Sequence, residues 1–234
     1  ISGRVTGVQT CALPISSTKT ALWDAGGTVL SEASAAYSLQ RPDPLRAQID
    51  PEIWWRAICD TVQQVIAEGE IHPGAIAGIG VDAVGWTLIP VDEQSNPLAP
   101  AMIWLDRRAM KEAAWLNKLP EADYLIHLAA NPIDEAYITP KLLWLKGHQP
   151  AVFDAAHRFL DATGFIIARL SGEFSCDITQ AYGYHFFDMR NERWDEAAAA
   201  AIGLPLEKMP PLYPATEVMG TVPAKAAADT GSCP

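Results

Sequence analysis

The run Ala77-Gly78-Ile79-Gly80-Val81-Asp82-Ala83-Val84-Gly85-Trp86-Thr87-Leu88-Ile89-Pro90-Val91-Asp92 constrains the fold more than any other part of the chain. It reads as a buried strand that presents one carboxylate, breaks at a small residue and resumes as apolar residues up to Asp92. A helix precedes it: Asp50 is placed to cap, Pro51 fits the first helical position, and Glu52 suits the positive end. Trp54, Trp55, Ile58, Val62, Val65 and Ile66 then recur at helical spacing. Helix into strand is a step of an α/β fold, and in such folds ligands bind beyond the carboxyl ends of the strands. Asp82 is therefore a candidate site residue, with a turn-capping aspartate as the alternative.

Around this unit the chain alternates between elements of both kinds. Ser16 to Asp24, the Gly26-Gly27 turn and Thr28 to Leu39 read as a strand hairpin. Pro100 to Trp104 reads as a strand running into Leu105-Asp106-Arg107-Arg108, so an aromatic, an acid and two cations meet at one edge. The alternative is that Asp106 caps a helix reaching Leu119 while both arginines are solvated. Helices are expected over 121–129, from Thr139-Pro140, from Gln149-Pro150, over 163–170 and over 197–201, with a strand at 158–161. Trp144 and its leucines read as core, and His185, among aromatics, as a packed, hydrogen-bonded residue. Residues 1–15 show neither strand nor helical period, and Pro14 falls where a strand would lead onward. They resemble translated adapter sequence, and we read them as a non-native segment preceding a domain over 16–234.

The composition narrows the chemistry. Half the residues are hydrophobic (49%) and the net charge is −11, which suits a globular domain and argues against a nucleic-acid or anionic-membrane partner. Cys11, Cys59, Cys176 and Cys233 form no C-x-x-C pair, so a reduced, cytoplasmic compartment is expected. No apolar run is long enough to span a membrane. P-loop, H-E-x-x-H and G-x-S-x-G motifs are absent. Asp82, Asp106 and Asp177 fall at strand ends; on neighbouring strands they could line one cleft, for a polyol beside an indole or for Mg²⁺.

Seven segments together resemble one family. They are S-S-T-K-T with A-L-W-D, Q-x-D-P-E-x-W-W at 48–55, and A-G-I-G-V-D with G-W-T-L at 77–88. P-A-M-I-W-L-D-R-R, T-P-K-L-L-W-L-K-x-H, L-S-G-E-F-S-C-D and M-P-P-L-Y follow in order. From Ser16 onward the chain resembles the N-terminal domain of the FGGY carbohydrate kinases, most of all the xylulokinase branch. The resemblance implies an actin-like, ribonuclease H-like α/β domain with a mixed central sheet, one of two lobes closing over sugar and Mg·ATP in a full-length parent. It implies sugar contacts at Asp82, Val84, Gly85, Trp104 and Asp106, and nucleotide contacts at Ser16, Ser17, Thr18 and Lys19. Ala12 stands where the family's phosphate-loop aspartate is expected, and the general base is expected beyond Pro234. The fragment should therefore be catalytically inactive. Ala83 and Val84 replace a Met-His pair of many xylulokinases, so rhamnulose, ribulose or fuculose are alternatives to D-xylulose. The implied partner is a small ketose, and a homodimer is compatible with the resemblance. Two other readings are a non-catalytic actin-like sugar-binding module and a metal-dependent nuclease, the latter disfavoured by W-x-D-R-R and the acidic charge.

Overall fold

The computed structural model describes residues 5–13, by their backbone alone, and residues 16–233. The first half contains β1 (Val5–Leu13), β2 (Ser17–Asp24), β3 (Val29–Ala36), β4 (Gln48–Ile49), α1 (Pro51–Glu68), β5 (Ile79–Ala83), β6 (Ile89–Val91) and β7 (Ala101–Met102). Helices α2 (Met110–Leu116), α3 (Ala122–Ala129), α4 (Ile138–His148) and α5 (Pro150–Ala155) follow, then β8 (Arg158–Leu160) and α6 (Ala162–Ser171). The remainder holds β9 (Cys176–Asp177), α7 (Ile178–Ala181), β10 (Phe187–Asp188), β11 (Arg193–Trp194), α8 (Glu196–Ala201), β12 (Leu212–Tyr213) and α9 (Ala224–Thr230).

The main sheet runs β3-β2-β1-β5, with β1 antiparallel to β2 and parallel to β5. The mixed sheet and its flanking helices give the α/β class expected from the sequence. The hairpin of β2 and β3 forms as the alternation predicts. Asp24 closes its turn by accepting the Gly26 and Thr28 amides at 2.8 and 2.9 Å, and Gly27 takes a left-handed φ of 82°. Two expectations fail here. Val5–Leu13, read as lacking any strand period, occupies an interior position of the sheet, because pairing on both sides supplies the order that its side-chain pattern does not advertise. Ala12 lies on this strand, and Pro14 and Ile15 lie outside the described residues. β5 is also not a fully buried strand: Gly80 and Asp82 are exposed, while Ile79 and Val81 are partly covered and Ala83 is buried.

Helix α1 begins as its residues dictate. Asp50 accepts the Glu52 amide at 3.0 Å, Pro51 occupies the first turn, and Glu52 pairs with Arg169 of α6. Its tryptophans, Ile58, Val62 and Val65 lie against β2 and β3 and join one apolar core with Leu22, Ile89, Phe165 and Ile166. A second core joins α2, α3, α4 and α5 through Leu116, Leu125, Leu142, Leu145, Phe153 and Phe186.

Short strands stitch the two cores together. β6 pairs with β8, β4 pairs with β7, and Leu88 and Met102 exchange both backbone hydrogen bonds at 3.0 Å. The segment leaving β5 therefore runs antiparallel beside the segment leaving β7. Residues 86 and 104 lie on the two neighbouring segments just beyond the Leu88–Met102 bridge.

Candidate functional site

The acid of W-L-D-R-R is the most enclosed charge at this edge. Asp106 is fully buried, and its two oxygens accept four hydrogen bonds. Oδ1 takes the Arg108 amide (3.1 Å) and Arg108 Nε (2.8 Å); Oδ2 takes an Arg108 terminal nitrogen (2.7 Å) and the Ala47 amide (2.8 Å). That guanidinium also donates to Gln48 Oε1 at 2.6 Å and lies 5.0 Å from the centre of the Trp144 ring. Each carboxylate oxygen already holds two donors, so the geometry makes Asp106 a latch between the β7 exit and the segment before β4. It does not cap the following helix, which starts at Met110 without a side-chain cap. Nor are the arginines solvated as the alternative expected: the Arg108 side chain is 8% exposed, and Arg107 pairs with Asp134 at 2.8 Å.

The sequence did not single out Lys141 or Trp86. Lys141 is fully buried, and its ammonium donates to the carbonyls of Trp86 (2.7 Å), Ile103 (2.8 Å) and Ala136 (2.7 Å). Burial pushes this ammonium down to about 7, opposed by the Asp106 and Asp134 carboxylates and abetted by Arg107 and Arg108. Trp86 sits at φ 53°, a left-handed conformation that costs energy in a bulky residue. Its ring lies 4.5 Å from that of Tyr137 and 5.7 Å from that of Tyr182. Gly183 is a glycine for this reason: a Cβ there would come within 3.0 Å of the Trp86 ring. Tyr137 donates to Asn131 Oδ1 at 3.2 Å, and Asn131 donates to the Tyr182 carbonyl at 3.2 Å, closing the group. A basic residue on the buried face of α4 and a bulky residue beside Gly85 were the signals available in the sequence.

Trp104 is half-buried and directly follows Ile103, whose carbonyl is one of the three acceptors of the Lys141 ammonium. Asp82, exposed at the carboxyl end of β5, makes no ion pair among the described residues. Val84 packs on the first core and its carbonyl accepts from Thr87. A Cβ on Gly85 would lie 3.0 Å from Gln180 Oε1, an atom that is buried without a partner, as is Trp86 Nε1. Asp82, Val84, Gly85 and Trp104 thus belong to the two adjacent segments that Lys141 joins.

The third acid goes elsewhere. Asp177 caps α7 by accepting the Thr179 amide at 2.8 Å, and it lines a cavity of about 570 Å³ between β5, α6 and the passage 213–222. Among the described residues no group of three His, Cys, Asp or Glu side chains could hold a metal ion. The expectation that Asp82, Asp106 and Asp177 share one cleft is not met, because burial has committed Asp106 and Asp177 caps a helix. Of the expected nucleotide residues, Ser16 is exposed at the start of β2 and Ser17 is partly covered. Thr18 is buried with an unpartnered hydroxyl, and Lys19 pairs with Glu32 at 2.9 Å.

His185 is packed, as its neighbours predict. Its ring nitrogen Nε2 lies 3.1 Å from the Pro132 carbonyl, and burial pushes the imidazole down to about 4. No helix among the described residues is long and apolar enough to cross a membrane.

Comparison with known proteins places this geometry in context. The profile of the FGGY family of carbohydrate kinases, N-terminal domain, matches residues 15–234. Xylulose kinase of Escherichia coli (strain K12) is 28% identical over 211 residues, covering 90% of this chain and 43% of that protein. Gluconokinase of Bacillus subtilis is 25% identical over 206 residues, covering 86% of this chain and 39% of that protein. The crystal structure of xylulose kinase from Rhodospirillum rubrum matches with a TM-score of 0.88 at 27% identity, over 97% of this chain and 46% of that one. Plasmodium falciparum glycerol kinase with ADP shares the fold, with a TM-score of 0.85 at 18% identity over 96% of this chain and 46% of that one. The chain spans less than half the length of these relatives.

Proposed function

The chain belongs to the FGGY family of carbohydrate kinases, and we propose that it is the sugar-binding lobe of an enzyme phosphorylating a ketose such as D-xylulose. The observation that carries this reading is the convergence of the β5 and β7 exits, which brings Asp82, Val84, Gly85, Trp86 and Trp104 onto adjacent segments. An exposed carboxylate can accept sugar hydroxyls, and an indole can cover the apolar C–H face of the ring or chain. Xylulose kinases among the relatives support a pentulose; rhamnulose, ribulose and fuculose are the alternatives to test. Asp106 contributes by fixing the segment after Trp104.

Phosphoryl transfer in such an enzyme is positioning plus charge neutralisation. Of the four expected nucleotide residues Ser16 and Lys19 are exposed and Ser17 is partly so; Lys19 would first have to leave Glu32. Among the described residues no group of three His, Cys, Asp or Glu side chains forms a cation cage, so Mg²⁺ would arrive with the nucleotide phosphates in the full-length parent. The chain on its own is expected to be inactive in sugar phosphorylation, and measurable ATP-dependent turnover by the purified chain would refute that. Residues 1–15 remain our proposed foreign segment on sequence grounds, since the family match begins at residue 15, although Val5–Leu13 fills an interior position of the main sheet. The reading further includes a cytoplasmic parent, compatible with a homodimer, with no nucleic-acid or membrane partner.

The test is titration of the purified chain with D-xylulose, ribulose, rhamnulose and fuculose, followed by tryptophan fluorescence. One ketose should bind, and Trp104→Ala should weaken it by about tenfold or more. Equal affinity in the variant would remove Trp104 from the site; no binding by any sugar would sink the reading for this chain.

A further inference from the structure

We propose that Lys141 is the positioning residue of the sugar site: one buried ammonium that holds the segments bearing Trp86, Trp104 and Tyr137 as a single wall. The proposal rests on the sugar-lobe reading for its ligand, a ketose, but not for its geometry.

Three features carry it. The first is stoichiometric. An ammonium has three donors, and Lys141 Nζ meets three carbonyls at 2.7, 2.8 and 2.7 Å, from residues 86, 103 and 136. No hydrogen remains for a ligand, so the group is not itself a sugar contact. The second is where those carbonyls sit. One belongs to Trp86, one immediately precedes Trp104, and one immediately precedes Tyr137, whose ring packs on Trp86. Three segments far apart in sequence, each with an aromatic at or beside the bonded carbonyl, are fixed by one atom.

The third is cost. A fully buried lysine with no carboxylate among its bonding partners is expensive. A methionine or leucine would fill α4's inner face in a purely structural helix. Trp86 adds to that cost through its left-handed backbone, which persists only where its surroundings hold it. Two of the three segments are tied a second time: Arg107 pairs with Asp134, and Asp134 Oδ1 accepts the Ala136 amide at 2.8 Å. Movement of any one segment is thereby passed to the other two, and the wall behaves as a unit.

The experiment uses the full chain labelled with 5-fluorotryptophan, whose eight indoles give eight fluorine signals, assigned by single Trp→Phe replacements. In the wild-type chain, nitrogen-15 spectra of the lysine ammonium groups should show Lys141 Nζ coupled through hydrogen bonds to the carbonyl carbons of residues 86, 103 and 136. In Lys141→Met and Lys141→Arg, the signals of Trp86 and Trp104 should shift or broaden, while those of Trp54, Trp55 and Trp194 stay in place. The planar fork of arginine cannot serve three converging carbonyls, so it should not rescue. Affinity for the ketose bound by the wild type should fall about tenfold or more in both variants.

If the methionine variant does not fold, a wild-type ketose titration still decides the matter: Lys141 Nζ should shift together with Trp104. Absent couplings, unmoved Trp86 and Trp104 signals in a folded variant, or all eight signals moving together would each overturn the proposal. Failure of every ketose to bind the wild type would instead defeat the sugar reading, leaving the couplings and fluorine signals to judge Lys141.

Discussion

Replacing Asp106 separates a structural latch from a sugar ligand. In the folded chain its carboxylate is wholly enclosed and accepts four donors, three of them from Arg108, whose side chain is only 8% exposed. Asp106→Ala strands the Ala47 amide and leaves the guanidinium with Gln48 Oε1 and the Trp144 face. Breaking a buried pair from one side costs about 3–5 kcal/mol, because the remaining charge is uncompensated. A domain of this size has on the order of 5–15 kcal/mol to lose. The melting temperature should fall by about 6–20 °C. Asp106→Asn keeps an acceptor but loses the charge, for about 2–3 kcal/mol. Arg108→Met alone also destabilises, and the double variant Asp106→Ala/Arg108→Met should recover part of the loss, giving a coupling of about 2 kcal/mol. Urea unfolding followed by circular dichroism at pH 7 measures all four chains. A loss below about 1 kcal/mol in Asp106→Ala, with ketose affinity abolished, would refute the latch and return Asp106 to the sugar.

Further outcomes follow from other buried groups. Burial holds the His185 imidazole at about 4, below its unfolded value near 6.5, so the unfolded chain binds more protons between those limits. Stability contributed by this group is present above pH 6.5 and lost on descending to about 4, by roughly 3 kcal/mol; His185→Phe should flatten that slope in pH-dependent urea titrations. Gly164→Ala would drive a Cβ to 2.4 Å from the Ser175 carbonyl oxygen, a backbone atom that cannot swing aside, and should cost about 2 kcal/mol or more in the same assay. Gly147→Ala, on the exposed side of α4 with nothing within 4 Å, should instead stabilise by about 0.5–1 kcal/mol.

What was legible in the sequence is what local chemistry decides. Asp50-Pro51-Glu52 and the spacing of Trp54 to Ile66 define α1 without reference to anything distant, and the Asp24 turn and its alternating flanks define the hairpin. Within the candidate site, Asp82 near the end of β5 was legible by the same means, while the strand expected to reach Trp104 ends at Met102 and leaves Trp104 in the following turn. Val5–Leu13 was not legible, since its order comes from two neighbouring strands rather than from its own periodicity. Asp106 reads differently in the structure because three of its four hydrogen bonds come from Arg108, two residues on, while the Ala47 amide that completes the latch lies 59 positions away.

Lys141 and Asp106 together show why charge in this fold resists reading from spacing. On a sequence, an acid beside a tryptophan suggests a ligand contact and a lysine on an apolar helix suggests a snorkelling surface residue. Burial reverses both. Once no water reaches either group, each must exhaust its hydrogen-bonding capacity within the protein: four donors for the carboxylate, three acceptors for the ammonium. A charge so saturated has nothing left for a sugar, and its effect is exerted through the backbone it fixes. Both fix the same place, the exit of β7, from opposite sides: Lys141 at Ile103 and Asp106 three residues later. The indole of Trp104 is thus carried on a segment pinned on either side of it, while Asp82 at the neighbouring exit remains uncommitted. On the proposed sugar-lobe reading, recognition falls to the groups that burial leaves open, and the buried charges set how accurately those groups are held.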